Sequence, residues 1–459
     1  MAYTSGFNAV IITTRPVPVD CMQCSTSHYT SAMVAHEQIS VAIIGGGPGG
    51  LGTAIALSEL PYVSVKLYEQ APEPREVGAG ISIGRNAWNV LHLLGAAKGV
   101  KGAKKGYSWQ RNGRTGEPAN LDTTAPAAGK APEDDDGYAA IRARRTRLQA
   151  ALLEKVVPST IQFGKKLVDI QDLGENKGVR LVFKDGTETT ADLVVGADGI
   201  RSIVRRTLFP SHHLRVTGNT AFRVLIPVSS IAHLDFPTST GWWHGLNGHL
   251  YFSHVDDESE RELCEITVRS YNEPVTADRT ATWAIPTTNE HVLARTAEYD
   301  PRIQELLRVV PEGAWREFAM VAGPCLQEIT AWDKVALIGD ASHPLSGAFG
   351  SGAAFAMEDG WILARAIEHS IKSDTTIKDA LEIFQRIRGP YYERMYEFLD
   401  KREAVLQHNR KENTDFDSVI RARIAVFGIL GGGALDWIYK NDIKQVWKEY
   451  VAGEQVARL

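Results

Sequence analysis

Three apolar strands that each run into a glycine turn, in VAIIGGGPGG (41–50), DLVVGADGIRS (192–202) and KVALIGDASHP (334–344), predict an α/β chain. Their wide separation predicts a Rossmann-like dinucleotide-binding domain assembled from discontinuous segments. A block from Ala221 to Trp283, rich in Val, Ile, Thr, Tyr and Trp, predicts an inserted mixed β-sheet domain with one buried face. From Thr376 onward helical spacing predicts a C-terminal helical region, with a break at Gly389–Pro390.

The first strand leads into the most specific signal. Gly45 allows a tight turn, Gly47 lets backbone approach a pyrophosphate, and Gly50 lets the next helix pack closely on the strand. Glu69, at the end of a second strand, can bond both hydroxyls of a ribose. The flanks agree, since Leu51–Leu60 has helical apolar spacing and Val63–Tyr68 alternates like a strand. The second glycine strand ends in Gly196, Asp198 and Gly199. The third ends in Gly339 and Asp340 and leads through GAFGSGAAFAMEDGWILARAIE into a long helix. Lys165–Thr190 alternates around an Asp185–Gly186 hairpin turn, and Asp442–Val451 is amphipathic. The chain is thus expected to divide into a flexible N-terminal extension (1–37), dinucleotide-binding parts at 38–110, 138–212 and 326–370, and a Pro-, Gly- and acid-rich surface loop at 111–137. The sheet domain takes 213–325 and the C-terminal helices 371–459.

Composition narrows the partners. A length of 459 residues exceeds the usual single core. A net charge of -5 and a pI near 6.3 leave no basic footprint, which excludes nucleic acid as a main partner. Ile424–Leu435 is interrupted by Gly431, Gly432 and Gly433 and is too short for a bilayer, so no membrane span is expected. Four cysteines make no disulfide framework and point to a reducing compartment, the cytoplasm. Cys21 and Cys24 form a CxxC without a second pair or histidine ligands, so no metal is expected. Residues 1–37 fit neither a signal nor a transit peptide, and Met33 offers a second start.

Taken together and in order, GGGPGG, VVGADGIRS and ALIGDASHP resemble the FAD-dependent aromatic hydroxylases of the para-hydroxybenzoate hydroxylase type, the class A flavoprotein monooxygenases, over about residues 38–370. The resemblance implies that the dinucleotide is FAD. The Gly45 loop would hold its pyrophosphate at a helix N-terminus and Glu69 its adenosine ribose. Asp198 and Gly199 would serve both FAD and the reduced nicotinamide, and Asp340 would meet the ribityl and pyrophosphate part. Gly352 and Ala353 would present backbone to the flavin ring. RARRTRLQAALL, Arg142–Leu153, resembles the family's arginine-bearing helix, with Arg145 as the FAD contact and Arg142, Arg144 and Arg147 as solvated charges. In EVGAGISIGRNA, Glu76–Ala87, the resemblance lays Gly78, Gly80 and Ser82 along the cofactor, while the glycines by themselves also read as turn glycines.

Bacterial salicylate hydroxylases carry a His-Gln-Gly type sequence after the third motif, whereas this chain reads HPLSGAFGSGAAFAMEDG from His343 to Gly360. With FRVLIP at Phe222–Pro227 and WIYKNDIKQVWKEYV near the C-terminus, it is more similar to fungal salicylate-hydroxylase-like enzymes, the dearomatising phenol hydroxylases of polyketide pathways. The implied activity is an FAD-dependent monooxygenation using O2 and NADPH or NADH. It would proceed through a flavin C4a-hydroperoxide on a small phenolic substrate, a polyketide-derived aldehyde or ketone. A decarboxylating hydroxylase of the salicylate type and a non-catalytic flavoprotein binder are the alternatives; Trp242–Trp243 and TWAIP do not supply the WxWxIP motif of halogenases. By the same resemblance Arg223 would hold the substrate as phenolate, each pKa unit being worth ~1.4 kcal/mol of preference for the anion. Tyr251 either gives that phenolate a second hydrogen bond, with His249 behind it, or packs as a sheet aromatic. His343 reads as a turn-stabilising residue. The oligomeric state is open, a homodimer included.

Overall fold

The computed structural model describes residues 38–74, 80–105, 108–118, 139–175, 177–236, 240–255, 262–271, 273–274, 284–412, 415–431 and 434–453. The N-terminal extension with Cys21, Cys24 and Met33, Gly78, and the part of the expected surface loop from 119 onward lie outside the described residues.

The chain first lays down β1 (Ile39–Ile44), α1 (Pro48–Ser58), β2 (Val63–Tyr68), β3 (Gly80–Ile83), α2 (Arg85–Leu93), β4 (Ala103–Lys104) and β5 (Trp109–Asn112). After β6 (Ile141–Arg144) and α3 (Arg145–Leu153) come β7 (Ile161–Gln162), β8 (Leu167–Asp172), β9 (Val179–Phe183), β10 (Glu188–Ala191), β11 (Leu193–Gly196) and α4 (Ile203–Leu208). The inserted block supplies β12 (Arg215–Pro227), β13 (Gly241–Gly245), β14 (Gly248–His254), β15 (Leu263–Ser270), β16 (Ile285–Pro286), α5 (Asn289–Leu293), α6 (Pro301–Arg308) and β17 (Arg316–Ala322). Then follow β18 (Thr330–Ala331), β19 (Val335–Leu337), α7 (Gly352–Lys372), α8 (Ile377–Glu412), α9 (Phe416–Gly431), α10 (Asp436–Tyr439) and α11 (Ile443–Val451).

The first sheet runs β18-β19-β11-β1-β2-β7, with β1 parallel to both β11 and β2. Val41 and Ile43 point into a core shared with α1, α3 and α7, while Ala42 and Ile44 point into a second core under the β8–β10 meander. Burial on both faces is why these strands read as unbroken apolar runs. The α/β class expected from three glycine strands is therefore the fold observed. Between α1 and α7 glycine sets the spacing: a Cβ on Gly49 would stand 2.8 Å from that of Ala356, and one on Gly360 would overlap Thr53.

The second sheet runs β16-β17-β12-β15-β14-β13-β5, antiparallel except for β13 against β5. Its period of two sorts the side chains. Phe222, Val224, Leu250, Phe252, Ile266 and Val268 form a core with Val292 of α5 and with Ile303, Leu306 and Leu307 of α6. The opposite face carries Arg223, His249, Tyr251, Glu265 and Thr267, and here the expectation of one buried face needs correcting. His249, Tyr251, Ser253, Glu265 and Thr267 are all buried as well. Alternation marks which residues are polar; it does not say whether water or protein covers them, and here β3 and β6 lie over this face.

The expected break at Gly389–Pro390 is also overturned, since α8 runs through Pro390 without interruption. Interior proline costs about 3 kcal/mol. Pro390 is exposed, so the carbonyl of Arg386 that loses its partner meets water, while Arg388, Tyr391 and Tyr392 on the buried side hold the helix in place.

Candidate functional site: a dinucleotide cradle against a covered polar sheet

The glycine loop divides its tasks. Gly45 has φ +110°, and Cβ atoms on Gly45 and Gly50 would overlap backbone, at Ala197 and Gly45 respectively. Both are therefore packing glycines. Gly47 instead has open space where a Cβ would be, at the N-cap of α1 with Pro48 as first helical residue. The Gly46 N–H donates to Glu69 Oε2 at 2.6 Å and the Ala71 N–H to Oε1 at 2.7 Å, so the carboxylate is fixed at the loop with lone pairs left over.

Asp340 stands in the turn that follows β19. Its side chain is exposed, yet burial pushes its carboxyl up, with Arg145 and Arg205 pulling it down. A Cβ on Gly352, the first residue of α7, would stand 3.8 Å from Asp340 Oδ1, which brings the third glycine strand and the Gly352–Ala353 helix start together. Asp198 uses Oδ2 to accept from the Ile203 and Val204 N–H groups at 2.7 and 3.2 Å, capping α4. Its Oδ1 is buried without a partner. Burial raises this carboxyl against the pull of Ser202 and those N–H groups. Arg145 opens α3, a helix with no acidic residue in its first turn. An open position at Gly47, an orphaned Asp198 oxygen and an Asp340 carboxyl within the field of Arg145 are features a dinucleotide would complete, so FAD fits the residues present.

One expectation on the arginine helix fails. Arg142 is not a solvated charge: it sits on β6, donates from Nη1 to Ser82 Oγ at 2.9 Å and from Nη2 to the fully buried Glu265. Strand alternation points it at β15, where an acid without a counter-charge would be costly. A Cβ on Gly80 would press on that same pair, so Gly80 and Ser82 join β3 to the sheet domain.

Arg223 and Tyr251 lie opposite Thr267 from its two sides, Arg223 on β12 and Tyr251 on β14. Two strand spacings set them roughly 10 Å apart on one face. Arg223 makes no hydrogen bond among the described residues and buries its Nε without a partner, with its guanidinium 5.9 Å from the Phe318 ring. Burial lowers its pKa, Glu265 opposes that, and Arg142 and Arg145 add to it. Tyr251 packs its ring 4.5 Å from Trp242 and 5.3 Å from the Arg142 guanidinium, and burial raises its phenol pKa, opposed by Arg142. Packing and proximity to the Arg223 charge thus hold together. His249 Nδ1 lies 2.9 Å from the Tyr271 hydroxyl, and burial beside Arg269 drives its pKa far down, leaving the ring neutral.

Behind Asp340 lies a buried network. Asp359 Oδ2 accepts from the Gly339 N–H at 2.8 Å, and its Oδ1 accepts from Arg388 Nε at 2.7 Å and from the Tyr392 hydroxyl. His343 stacks on Tyr392 at 3.7 Å with Nδ1 2.6 Å from Ser342 Oγ, and burial takes its pKa to about 3. Glu358 lies 3.3 Å from Arg388, and burial pushes its carboxyl up to about 7 against the pull of Arg388. The folded state thus holds this proton more tightly than the unfolded chain. Stability should be greatest below about pH 4.5 on this account and fall by about 3 kcal/mol as pH rises to about 7, then level off. Glu358→Gln should remove that slope from denaturant titrations run between pH 5 and 8; an unchanged slope would assign it to other groups.

An open-Cβ glycine loop at a helix N-terminus, with Glu69 bonded to that loop, fits a dinucleotide-binding flavoprotein. The chain belongs to the FAD binding domain family, whose model matches residues 38–398. It is 28% identical over 448 residues to 6-methylsalicylate 1-monooxygenase of Aspergillus terreus, covering 90% of this chain and 92% of that protein. It is 26% identical over 436 residues to a salicylate hydroxylase of Pseudomonas putida, covering 88% and 93%. A solved salicylate hydroxylase substrate complex superposes with a TM-score of 0.71 at 24% identity, over 90% of this chain and 98% of that one, which speaks for the fold. The expectation of an FAD-dependent aromatic monooxygenase is borne out by family and relatives. Among the described residues no helix is long and apolar enough to cross a membrane.

Proposed function

We propose that the protein is a cytoplasmic phenol hydroxylase that holds its substrate as a phenolate over Thr267, between Arg223 and Tyr251, and consumes O2 and NADPH or NADH. The observation that carries this reading is Arg223: a half-buried cation whose Nε is buried without a partner and which makes no hydrogen bond among the described residues, on the face that β3 and β6 cover. Bound FAD supplies the oxygen-transfer chemistry. The Gly45–Gly50 loop would seat its pyrophosphate, Glu69 its ribose, Asp198, Asp340 and Arg145 the centre of the molecule, and Gly352–Ala353 the ring end. Arg223 favours the anionic phenol oxygen and so a more nucleophilic ring. Tyr251, its own proton held firmly by burial, donates to that oxygen. The cover of β3 and β6, tied down by Arg142 and Glu265, keeps water from the ring.

Two measurements test the reading. Glu69→Ala and Asp340→Ala should each lower the flavin-to-protein ratio after gel filtration, since a charge-assisted hydrogen bond is worth on the order of 1.5–3 kcal/mol; unchanged ratios in both would count against the cradle. A screen of salicylates, orcinaldehydes and resorcinols, read by NAD(P)H oxidation, product mass and ring-proton NMR, should find a hydroxylated product. A phenolic aldehyde or ketone would give a dearomatised product with its carbon count retained, and a salicylate would give a catechol and carbon dioxide. A yellow protein indifferent to every phenol would be a flavoprotein binder.

A further inference from the structure

Two stretches that set this chain apart from the bacterial pattern, HPLSGAFGSG (343–352) and WIYKN (437–441), meet in the structure. The short α10 puts Leu435, Ile438 and Tyr439 on one side by helical spacing. Leu435 and Ile438 are buried in one cluster with Leu345 and Phe349 of the loop that precedes α7. The Tyr439 hydroxyl donates to the Phe349 carbonyl oxygen at 3.1 Å. Two further contacts hold the segment itself in place. The Trp437 ring stands 5.4 Å from that of Tyr391 on α8 and 4.1 Å from the Arg394 guanidinium, and the Asn441 carbonyl accepts from Asn89 Nδ2 of α2 at 2.9 Å. The C-terminal segment therefore reaches the loop from a fixed base.

The loop needs such a hold. Ser346 has φ +56°, Gly347 +67° and Gly350 +68°, so half of residues 345–350 sit in the left-handed region. Glycine adopts it freely, but a serine stays there only where its surroundings leave no easier arrangement. Within the loop the Ala348 N–H donates to the Leu345 carbonyl at 3.1 Å and the Gly350 N–H to the Gly347 carbonyl at 3.3 Å, which closes two local turns. Among the described residues the Tyr439 hydroxyl alone brings a hydrogen bond to residues 345–350 from a distant part of the chain. Its ring is 39% exposed, so the hydroxyl can be removed without opening the core.

We infer that Tyr439 is a positioning residue for the monooxygenation: by holding the Phe349 carbonyl it fixes loop 345–350 at the start of α7 and so keeps water from the ring end of the cofactor. This rests on the reading above that Gly352–Ala353 face that end. In productive turnover one oxygen atom of O2 enters the phenol and the other leaves as water, while NAD(P)H and a proton are consumed and NAD(P)+ is released. With the loop loosened, the same NAD(P)H, proton and O2 end as NAD(P)+ and hydrogen peroxide, and the phenol is left unchanged. Excluding water from a reacting centre is what prevents such a side reaction.

The test uses the FAD-loaded full chain, with salicylate and orcinaldehyde as probes. Tyr439→Phe should oxidise NAD(P)H within twofold of wild type, yet release at least threefold more hydrogen peroxide per NAD(P)H and correspondingly less product. Iodide should quench its flavin fluorescence with a constant at least twofold larger, a signature that a purely structural role would not move. Tyr439→Ala should shift both readouts further. Lys440→Gln, at an exposed neighbour paired with Asp436, should behave as wild type. Melting temperature and flavin ratio are read on every preparation, and if the alanine variant fails them the phenylalanine variant, which keeps the ring, decides. Wild-type peroxide yield and quenching in Tyr439→Phe, with or without a lower melting temperature, would overturn the inference, as would an equal rise of both in Lys440→Gln. If wild type makes product from neither phenol, the hydroxylase reading falls and quenching alone decides: a larger constant in Tyr439→Phe upholds the hold on the loop, and an equal one overturns it. If the chain binds no FAD, both fall.

Discussion

Arg223→Ala is expected to keep FAD at the wild-type ratio, to melt no lower than wild type, and to hydroxylate about a hundredfold more slowly, since a hydrogen bond to a charged group is worth ~1.5–3 kcal/mol and every 1.4 kcal/mol is tenfold. The two halves of this result have opposite physical origins. Among the described residues the Arg223 guanidinium makes no hydrogen bond, so truncation removes a partly desolvated charge and breaks no hydrogen bond there. With substrate bound, the same truncation removes the cation that holds the phenol oxygen as an anion. Arg223→Lys should recover part of the rate, because lysine keeps the charge without the planar fork. Flavin ratio, thermal melting and product formation are read on one preparation. Wild-type hydroxylation would move the phenolate-holding role to another residue, and a lower melting temperature with intact turnover would make Arg223 structural.

Arg388→Ala should have the larger effect on stability. Arg388 is buried between Glu358 and Asp359, which are themselves fully buried, and it also donates to the Tyr392 hydroxyl at 3.0 Å. Removing one partner of a buried ion pair costs about 3–5 kcal/mol, because the remaining charge has nowhere to go. Here Asp359 is left behind without its cation, while Glu358, already pushed up to about 7, loses the charge that pulled it down and keeps its proton. Asp359 also fixes the Gly339 N–H, so the turn that presents Asp340 should loosen with it, and flavin should be lost before the global melt. Paired thermal melts followed by flavin fluorescence and by far-UV circular dichroism separate the two events. A variant that melts as wild type does, with flavin retained, would mean that Glu358 and Asp359 find other partners.

The parts that sequence made legible are those whose demands are local. A tight turn, a close helix and a ribose partner ask for Gly45, Gly50 and Glu69 within one continuous stretch, and the structure places all three in one loop and strand end. Arg142 was hidden in a run of arginines that reads as a charged helix face, because its partner Glu265 is 123 residues away and nothing local announces it. Arg388 is a single charge in an otherwise ordinary helix; only packing shows that water does not reach it. Pro390 carried a true local preference that tertiary contacts outweighed.

The strand order has a consequence for synthesis. Leu193 follows Ile44 by 149 residues, so at about 5–20 residues per second the apolar β1 waits roughly 7–30 s on the ribosome for its neighbour β11. β19, which closes the other side of β11, is made later still. Until then each new strand is an open edge of the kind that recruits other chains. A nascent chain of this protein therefore carries an unpaired apolar edge through most of its elongation, and a message truncated before Val335 would yield a sheet that lacks the partner strand for β11.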